Sequence, residues 1–160
     1  MDTPWRLARV KSNFEKTVAT HLTARSVENY LPLVVQAVQW TDRVVMTSLP
    51  LFAGYVFVRY TPMQRQLVLS TPGMIANGLG EVIPDLELKR IGTALNQGYK
   101  LESYLGAGIG SRVRFRNGVF SGTDGIVVPS GDRIKVVVGL SGCVLLFSVE
   151  SELEDIEVVD

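Results

Sequence analysis

The chain carries one histidine, His21, and one cysteine, Cys143, far apart in the sequence. Nucleophilic catalysis needs a base beside the nucleophile and a group to orient that base, and no Ser, Cys or Thr here sits in a motif supplying both. Glu150, Glu152, Glu154, Asp155 and Glu157 form an acidic run. A metal site would need a second cluster to partner it; none is present, so the run reads as a solvated edge. Gly106-Ala107-Gly108-Ile109-Gly110 imitates a dinucleotide loop. It lacks the preceding strand and following helix that would aim backbone N–H groups at a phosphate. The sequence therefore predicts no catalytic residue, no metal and no cofactor.

What stands out instead is a surplus of apolar side chains on one stretch, Pro50-Leu51-Phe52-Ala53-Gly54-Tyr55-Val56-Phe57-Val58. On a strand Tyr55 and Phe57 share one face, while Val56 and Val58 share the other. Both faces need cover, and the chain's own helices readily cover one. The two rings either pack inside the domain or form a surface that a partner completes.

The elements that must position this strand follow from periodicity and punctuation. Trp5 to Lys11 alternates as a strand, with Trp5, Leu7 and Arg9 on one side and Ala8 and Val10 on the other. Ser12 with Glu15 has the spacing of a capping box, and Phe14, Val18 and Leu22 give the following helix one buried stripe. His21 and Arg25, four apart, lie beside that stripe and face solvent. Leu33 to Trp40 and Arg43 to Thr47 predict a hairpin around Thr41-Asp42. Thr61-Pro62 with Gln64 starts a short helix that Pro72-Gly73 ends. Met74 to Leu79 reads as a strand weakened by Gly78 and Gly80. Pro84-Asp85 opens a third helix with Leu88, Ile91 and Leu95 inward.

Residues 98–109 lose periodicity and are rich in glycine, which predicts a linker. Beyond it, short β-branched runs such as Ile126-Val127-Val128 and Val136-Val137-Val138 alternate with glycines, and about five strands at that spacing predict a small closed barrel. These runs are poor helix material, which favours a stable barrel over a helical alternative. The expected fold class is α+β. An antiparallel sheet flanked by helices occupies 1–97, the linker 98–109, and the C-terminal barrel 110–160.

Composition limits the surroundings. Of 160 residues, 46% are hydrophobic and 20% charged, as in soluble globular chains. No apolar run is long enough to span a bilayer, and Met1-Asp2-Thr3-Pro4 lacks a secretory pattern, so no membrane is expected. A single cysteine suits a reducing cytoplasm. The net charge is zero but uneven: residues 1–109 hold 11 Lys and Arg against 8 Asp and Glu, and residues 110–160 hold 5 against 8. The acidic second half argues against a strong electrostatic grip on nucleic acid there.

Trp5-Arg6-Leu7-Ala8, Phe14-Glu15, Tyr30-Leu31-Pro32 and the Pro50 to Val58 stretch together resemble the N-terminal (NGN) domain of the NusG family of transcription elongation factors. Gly110-Ser111-Arg112-Val113-Arg114-Phe115, Gly118-Val119-Phe120-Ser121-Gly122 and Gly125-Ile126-Val127 resemble the KOW motif that begins the family's SH3-like barrel. The resemblance runs in order over nearly the whole chain.

It implies a non-enzymatic transcription elongation and antitermination factor. Such a factor docks on the clamp helices of RNA polymerase's largest subunit, here through Trp5, Leu7, Phe52, Tyr55 and Phe57. In the specialised RfaH-like branch, which this chain resembles, a helix face reads the non-template DNA strand; His21, Arg25 and Thr71, with Arg9, are the implied DNA contacts. Val113, Gly118, Phe120, Gly122, Gly125 and Ile126 match KOW positions. Leu140, Ser141 and Cys143 occupy the partner loop, where housekeeping NusG carries Phe-Gly-Arg. The implied barrel partner is a ribosomal protein or another factor, with Rho bound weakly because the aromatic anchor is gone. A monomer is expected. The alternatives are an RNA- or ribosome-binding KOW module and a housekeeping NusG-type factor coupled to Rho.

Overall fold

The computed structural model describes residues 3–104, 110–130, 133–141, 143 and 145–159. The last part of the expected linker (105–109), with most of the glycine-rich dinucleotide look-alike, lies outside the described residues, as does Val144. The chain divides into two compact units, residues 1–85 and 86–160.

In the first unit, β1 (Trp5–Val10) leads to α1 (Glu15–Ala24), β2 (Glu28–Tyr30), β3 (Leu33–Gln39), β4 (Val44–Pro50), β5 (Tyr55–Arg59), a 3₁₀ turn (Pro62–Gln64), α2 (Arg65–Leu69) and β6 (Met74–Ile83). Four strands form an antiparallel sheet in the order β2-β5-β1-β6, and β3 and β4 form a separate two-stranded sheet. The expected hairpin is therefore present but stands apart from the main sheet.

One face of the main sheet carries the core. Ala8, Val10, Val56 and Val58 pack with Val18 and Leu22 of α1, Val68 of α2, and Val27 and Met74. The alternation read from the sequence accounts for this directly, since Val56 and Val58 are two apart on a strand and Val18 and Leu22 four apart on a helix. Phe14 departs from the stripe and is 43% exposed, because the helix begins only at Glu15. The Ser12 capping box does not form. Asn13 turns left-handed at φ 67°, and the buried Glu15 carboxylate instead accepts the Gly54 backbone N–H at 2.7 Å. The second capping box is made: Gln64 Oε1 accepts the Thr61 N–H at 3.0 Å, and the Thr61 side chain is bonded to the Gln64 backbone.

The weak strand after Pro72-Gly73 is longer than expected, ten residues, and runs beside β1 with register shifts around Ala8. Gly78 sits at this irregularity. A Cβ there would lie 2.8 Å from the Arg9 carbonyl oxygen, so the close approach of the two strands requires glycine.

The second unit holds most of α3 (Asp85–Asn96), then β7 (Leu101–Ser103), β8 (Arg112–Phe115), β9 (Asp124–Ser130), β10 (Arg133–Gly139), β11 (Leu146–Ser151), a 3₁₀ turn and β12 (Ile156–Val158). Its six strands run β12-β8-β9-β10-β11-β7, with every described pair antiparallel. The units meet at 85/86, earlier than the segment read as a linker. Within that segment Leu101–Ser103 forms a strand, because Leu101 is buried and all three residues pair with β11. α3 turns Leu88, Ile91 and Ala94 inward and bonds within its own unit: Arg90 donates to Thr123 Oγ1 at 2.9 Å, and Glu87 accepts the Ser141 N–H at 2.8 Å.

Phe120 closes the sheet on itself. Its ring lies 5.7 Å from Phe115 of β8 and 5.8 Å from Phe147 of β11, centroid to centroid, with Tyr99 at 5.9 Å. β8 and β11 are separated by two strands in the sheet order, so one ring reaches both only if the sheet curls around it.

Candidate functional site

The second face of the main sheet is built by three cross-strand rows. Tyr30, Phe57 and Leu7 line up across β2, β5 and β1; Glu28, Arg59, Trp5 and Ile83 make a second row; Tyr55 and Arg9 make a third. Residues two apart on a strand share a face, so Phe57 stands between Tyr55 and Arg59, and Leu7 between Trp5 and Arg9. Sequence alternation had already placed Trp5, Leu7 and Arg9 together, and Tyr55 with Phe57. The register merges the two sets into one surface.

Its centre is packed. Phe57 is fully buried, with the Phe52 ring edge-on at 6.1 Å and the Tyr30 ring stacked at 6.4 Å. Trp5, Leu7 and Phe52 are also buried. Tyr55 is half-buried, so it is the reachable member of the expected docking set; Arg9, expected among the DNA contacts, lies exposed opposite it. Tyr30, which the sequence offered only as part of a motif, belongs to the same cluster. Partial burial pushes its phenol above the ordinary tyrosine range, since the phenolate is the form that loses hydration.

The rim row is polar. The Arg59 guanidinium lies 4.9 Å over the Trp5 ring and 3.5 Å from Asp85, while the Trp5 indole donates to Asp85 at 3.0 Å. Glu28 is 3.9 Å from the same guanidinium. Arg59 was missed at the sequence level. The available signal was its position two residues beyond Phe57, which places it on the ring face.

The expected DNA contacts divide. His21 on α1 and Arg25 at its C-cap, both half-buried, belong to the helix that covers the valine face of the sheet. Arg25 donates to the Leu67 carbonyl at 3.0 Å and to Ser70 Oγ at 3.3 Å. Thr71 is buried, and its hydroxyl donates to the same Leu67 carbonyl at 3.0 Å. Its visible role is thus to finish α2. Arg9 lies across the sheet opposite Tyr55, away from the α1 face.

In the second unit, Val113 and Phe120 are buried core residues and Ile126 is half-buried. Gly118 and Gly122 take φ +83° and +84°, and a Cβ on Gly125 would meet Val136 Cγ1 at 2.5 Å. Leu140 is buried, while Ser141 is exposed and Cys143 half-buried. Leu140 and Ser141 border a cleft of about 270 Å³, shared with Glu87, Arg90, Thr123 and Phe147. Among the described residues, no three His, Cys, Asp or Glu side chains are placed to hold a metal ion, and no helix is long and apolar enough to cross a membrane.

The first unit is thus a four-stranded antiparallel sheet with helices on one face and an aromatic cluster on the other, and the second a small, curled antiparallel sheet. The family profile described as "Transcription termination factor nusG" matches residues 3–91, more than half of the chain. The chain belongs to the NusG family of transcription factors. Among solved structures it is similar to one described as "Domain interaction in Thermotoga maritima NusG", at 21% identity over 98% of this chain and 97% of that one, with a TM-score of 0.58. That likeness speaks to the fold. A MjSpt4:Spt5 complex in conformation A aligns over 97% of both chains at 14% identity, with a TM-score of 0.29, too low to support any comparison of arrangement. No curated protein matches the chain in sequence.

Proposed function

We propose that the protein is a transcription elongation and antitermination factor of the specialised, RfaH-like type. It docks on the clamp helices of RNA polymerase's largest subunit through the aromatic face of its first unit. The observation that carries this reading is the merged face itself. α1 and α2 cover the valine side, while Tyr30, Phe52, Phe57, Leu7 and Trp5 gather on the other, with Tyr55 and Arg9 at its accessible border. A helical tip laid against Tyr55 would bury a large ring, worth roughly 1.5–3 kcal/mol when fully covered. Arg9 beside it offers a cation to a polymerase carboxylate.

His21 and Arg25 approach the non-template strand, where ring stacking and phosphate attraction suit an unpaired strand. Thr71 supports them through the Leu67 carbonyl it shares with Arg25. The second unit acts as the KOW module. Its motif glycines and Phe120 build the barrel, and the Ser141 and Cys143 end of the loop, seated on Leu140, meets a ribosomal protein or other factor. The factor works in the cytoplasm, with polymerase.

The test is capture of the full chain on an isolated polymerase clamp-helix hairpin. Wild type binds, Tyr55→Ala loses most of the binding, and a surface change elsewhere, Met63→Ala, does not. Absence of binding by wild type, with RNA binding retained, overturns the reading in favour of an RNA- or ribosome-binding KOW module.

A further inference from the structure

β3 and β4 form a ribbon of two strands only, and such a ribbon is marginally stable by itself. None of the residues of β3, Leu-Val-Val-Gln-Ala-Val-Gln, is charged, nor is any of β4. Soluble proteins commonly guard free strand edges with lysine, proline or a bulge, and β3 has none of these.

The direction of the free groups follows from the ladder. Trp40 N–H donates to Arg43 O at 2.7 Å and Leu51 N–H to Pro32 O at 2.8 Å, so Pro32, Val34, Gln36, Val38 and Trp40 aim their backbone groups at β4. Leu33, Val35, Ala37 and Gln39 therefore aim theirs outward. No hydrogen bond from the described residues reaches the outward backbone groups of Val35 and Ala37. The β4 edge is different. Lys16 Nζ donates to the Ser48 carbonyl at 2.6 Å, and Pro50 has no N–H to offer.

We propose that the β3 edge pairs with a second copy of the chain. The two strands run antiparallel about a two-fold axis at Gln36, making one four-stranded sheet β4-β3-β3-β4. The register about Gln36 is self-complementary. Val35 faces Ala37 of the second copy, Val34 faces Val38, Leu33 faces Gln39, and Gln36 meets its own counterpart. Val35–Ala37 and Leu33–Gln39 then fall at hydrogen-bonded positions, each exchanging two backbone bonds, so every outward group of the strand finds a partner. No like charges are brought together, which is what lets one edge serve both copies. Val35, 66% exposed, gains a neighbour on its own face, and Met46 at 65% and Val44 at 59% become part of a wider apolar sheet surface. Edge pairing buries less than the roughly 1,200 Å² of a stable interface, so the dimer is weak and concentration-dependent. This inference is independent of the proposed polymerase contact.

Sedimentation velocity of the full chain between about 1 and about 500 µM tests it, a span chosen for a contact below the stable-interface class. Wild type moves from monomer toward dimer over that range. Ala37→Pro removes one outward N–H and leaves the bonds to β4 intact; Val35→Lys places like charges near the axis. Each weakens association at least about tenfold, while Met63→Lys, an exposed change outside the ribbon, leaves it unchanged. In a Cys143→Ser background, Gln36→Cys forms an intermolecular disulfide under mild oxidation and Met63→Cys does not. A wild type that stays monomeric throughout, or a dimer that Ala37→Pro and Val35→Lys do not weaken, overturns the proposal.

Discussion

The Phe52 ring meets the Phe57 ring edge-on, 6.1 Å between centroids, and with Tyr30 stacked on the other side Phe57 has no solvent exposure left. A ring held this way contributes to stability before it contributes to recognition. Phe57→Ala should cost about 3–5 kcal/mol, the usual range for emptying a buried phenylalanine site. Tyr55→Ala, at a half-buried position, should cost less than about 1.5 kcal/mol. Urea unfolding of the two variants checks this. Equal losses would mean that Tyr55 is as deeply packed as Phe57. The contrast matters for function, because only Tyr55 can report a docking defect without a folding defect.

Arg25 and Thr71 share the Leu67 carbonyl but differ in access. Thr71→Val removes one neutral hydrogen bond and should lower stability by about 1 kcal/mol, with a much smaller effect on single-stranded DNA binding than Arg25→Gln. Arg25→Gln should weaken that binding and reduce its dependence on log salt concentration by about 0.7, the loss expected for one phosphate contact on a single strand. Fluorescence anisotropy at several salt concentrations measures both. A Thr71→Val effect as large as that of Arg25→Gln would place Thr71 in the interface directly.

The barrel should be intolerant at Gly125. An added Cβ would meet Val136 Cγ1 at 2.5 Å and the Val137 carbonyl oxygen at 2.7 Å, and a strand carbonyl cannot retreat without breaking its ladder. Gly125→Ala is expected to destabilise by about 1–3 kcal/mol, the range for overpacking. At Gly80 the nearest atom would be Leu7 O at 3.5 Å, an ordinary contact, so Gly80→Ala should be close to neutral. Denaturant midpoints of the two variants make the comparison.

Acid should loosen the barrel's first hairpin through Asp124. Hydrogen bonding from Arg114 at 2.6 Å holds its carboxyl below the ordinary aspartate range, with Arg112 adding attraction. A carboxylate whose folded pKa lies below its unfolded one stabilises the fold fully above the unfolded value. That contribution disappears as pH falls through the depressed folded value. An NMR titration of the Asp124 carboxyl should give a midpoint below the ordinary aspartate value, and Asp124→Asn should flatten this part of the acid-side decline. A midpoint at or above the ordinary value would contradict the pairing.

Much of the fold was legible because local rules and tertiary structure agree. The Trp5-Leu7-Arg9 and Ala8-Val10 alternation, the Val18 and Leu22 spacing, the Thr61-Pro62-Gln64 cap and the hairpin at Thr41-Asp42 each depend on neighbours within a few residues. The Ser12 box failed because Glu15 had a stronger use, accepting the Gly54 N–H across the unit. The strand at Leu101 was hidden by its short length and its single apolar residue, and it exists because β11 supplies the pairing.

The sequence by itself determined the α+β class, the two-part order and the presence of an aromatic strand, since these follow from periodicity, glycine punctuation and composition. Only the tertiary structure decided which residues share a surface. Cross-strand register joined Tyr30 to Phe57 and Leu7, put Arg9 beside Tyr55 and apart from His21, and set Arg59 over Trp5. It also left β3 with an outward row of unpaired backbone groups. Register depends on pairing between segments distant in the chain, and a shift of one residue would turn every side chain to the opposite face, so no local pattern could supply it.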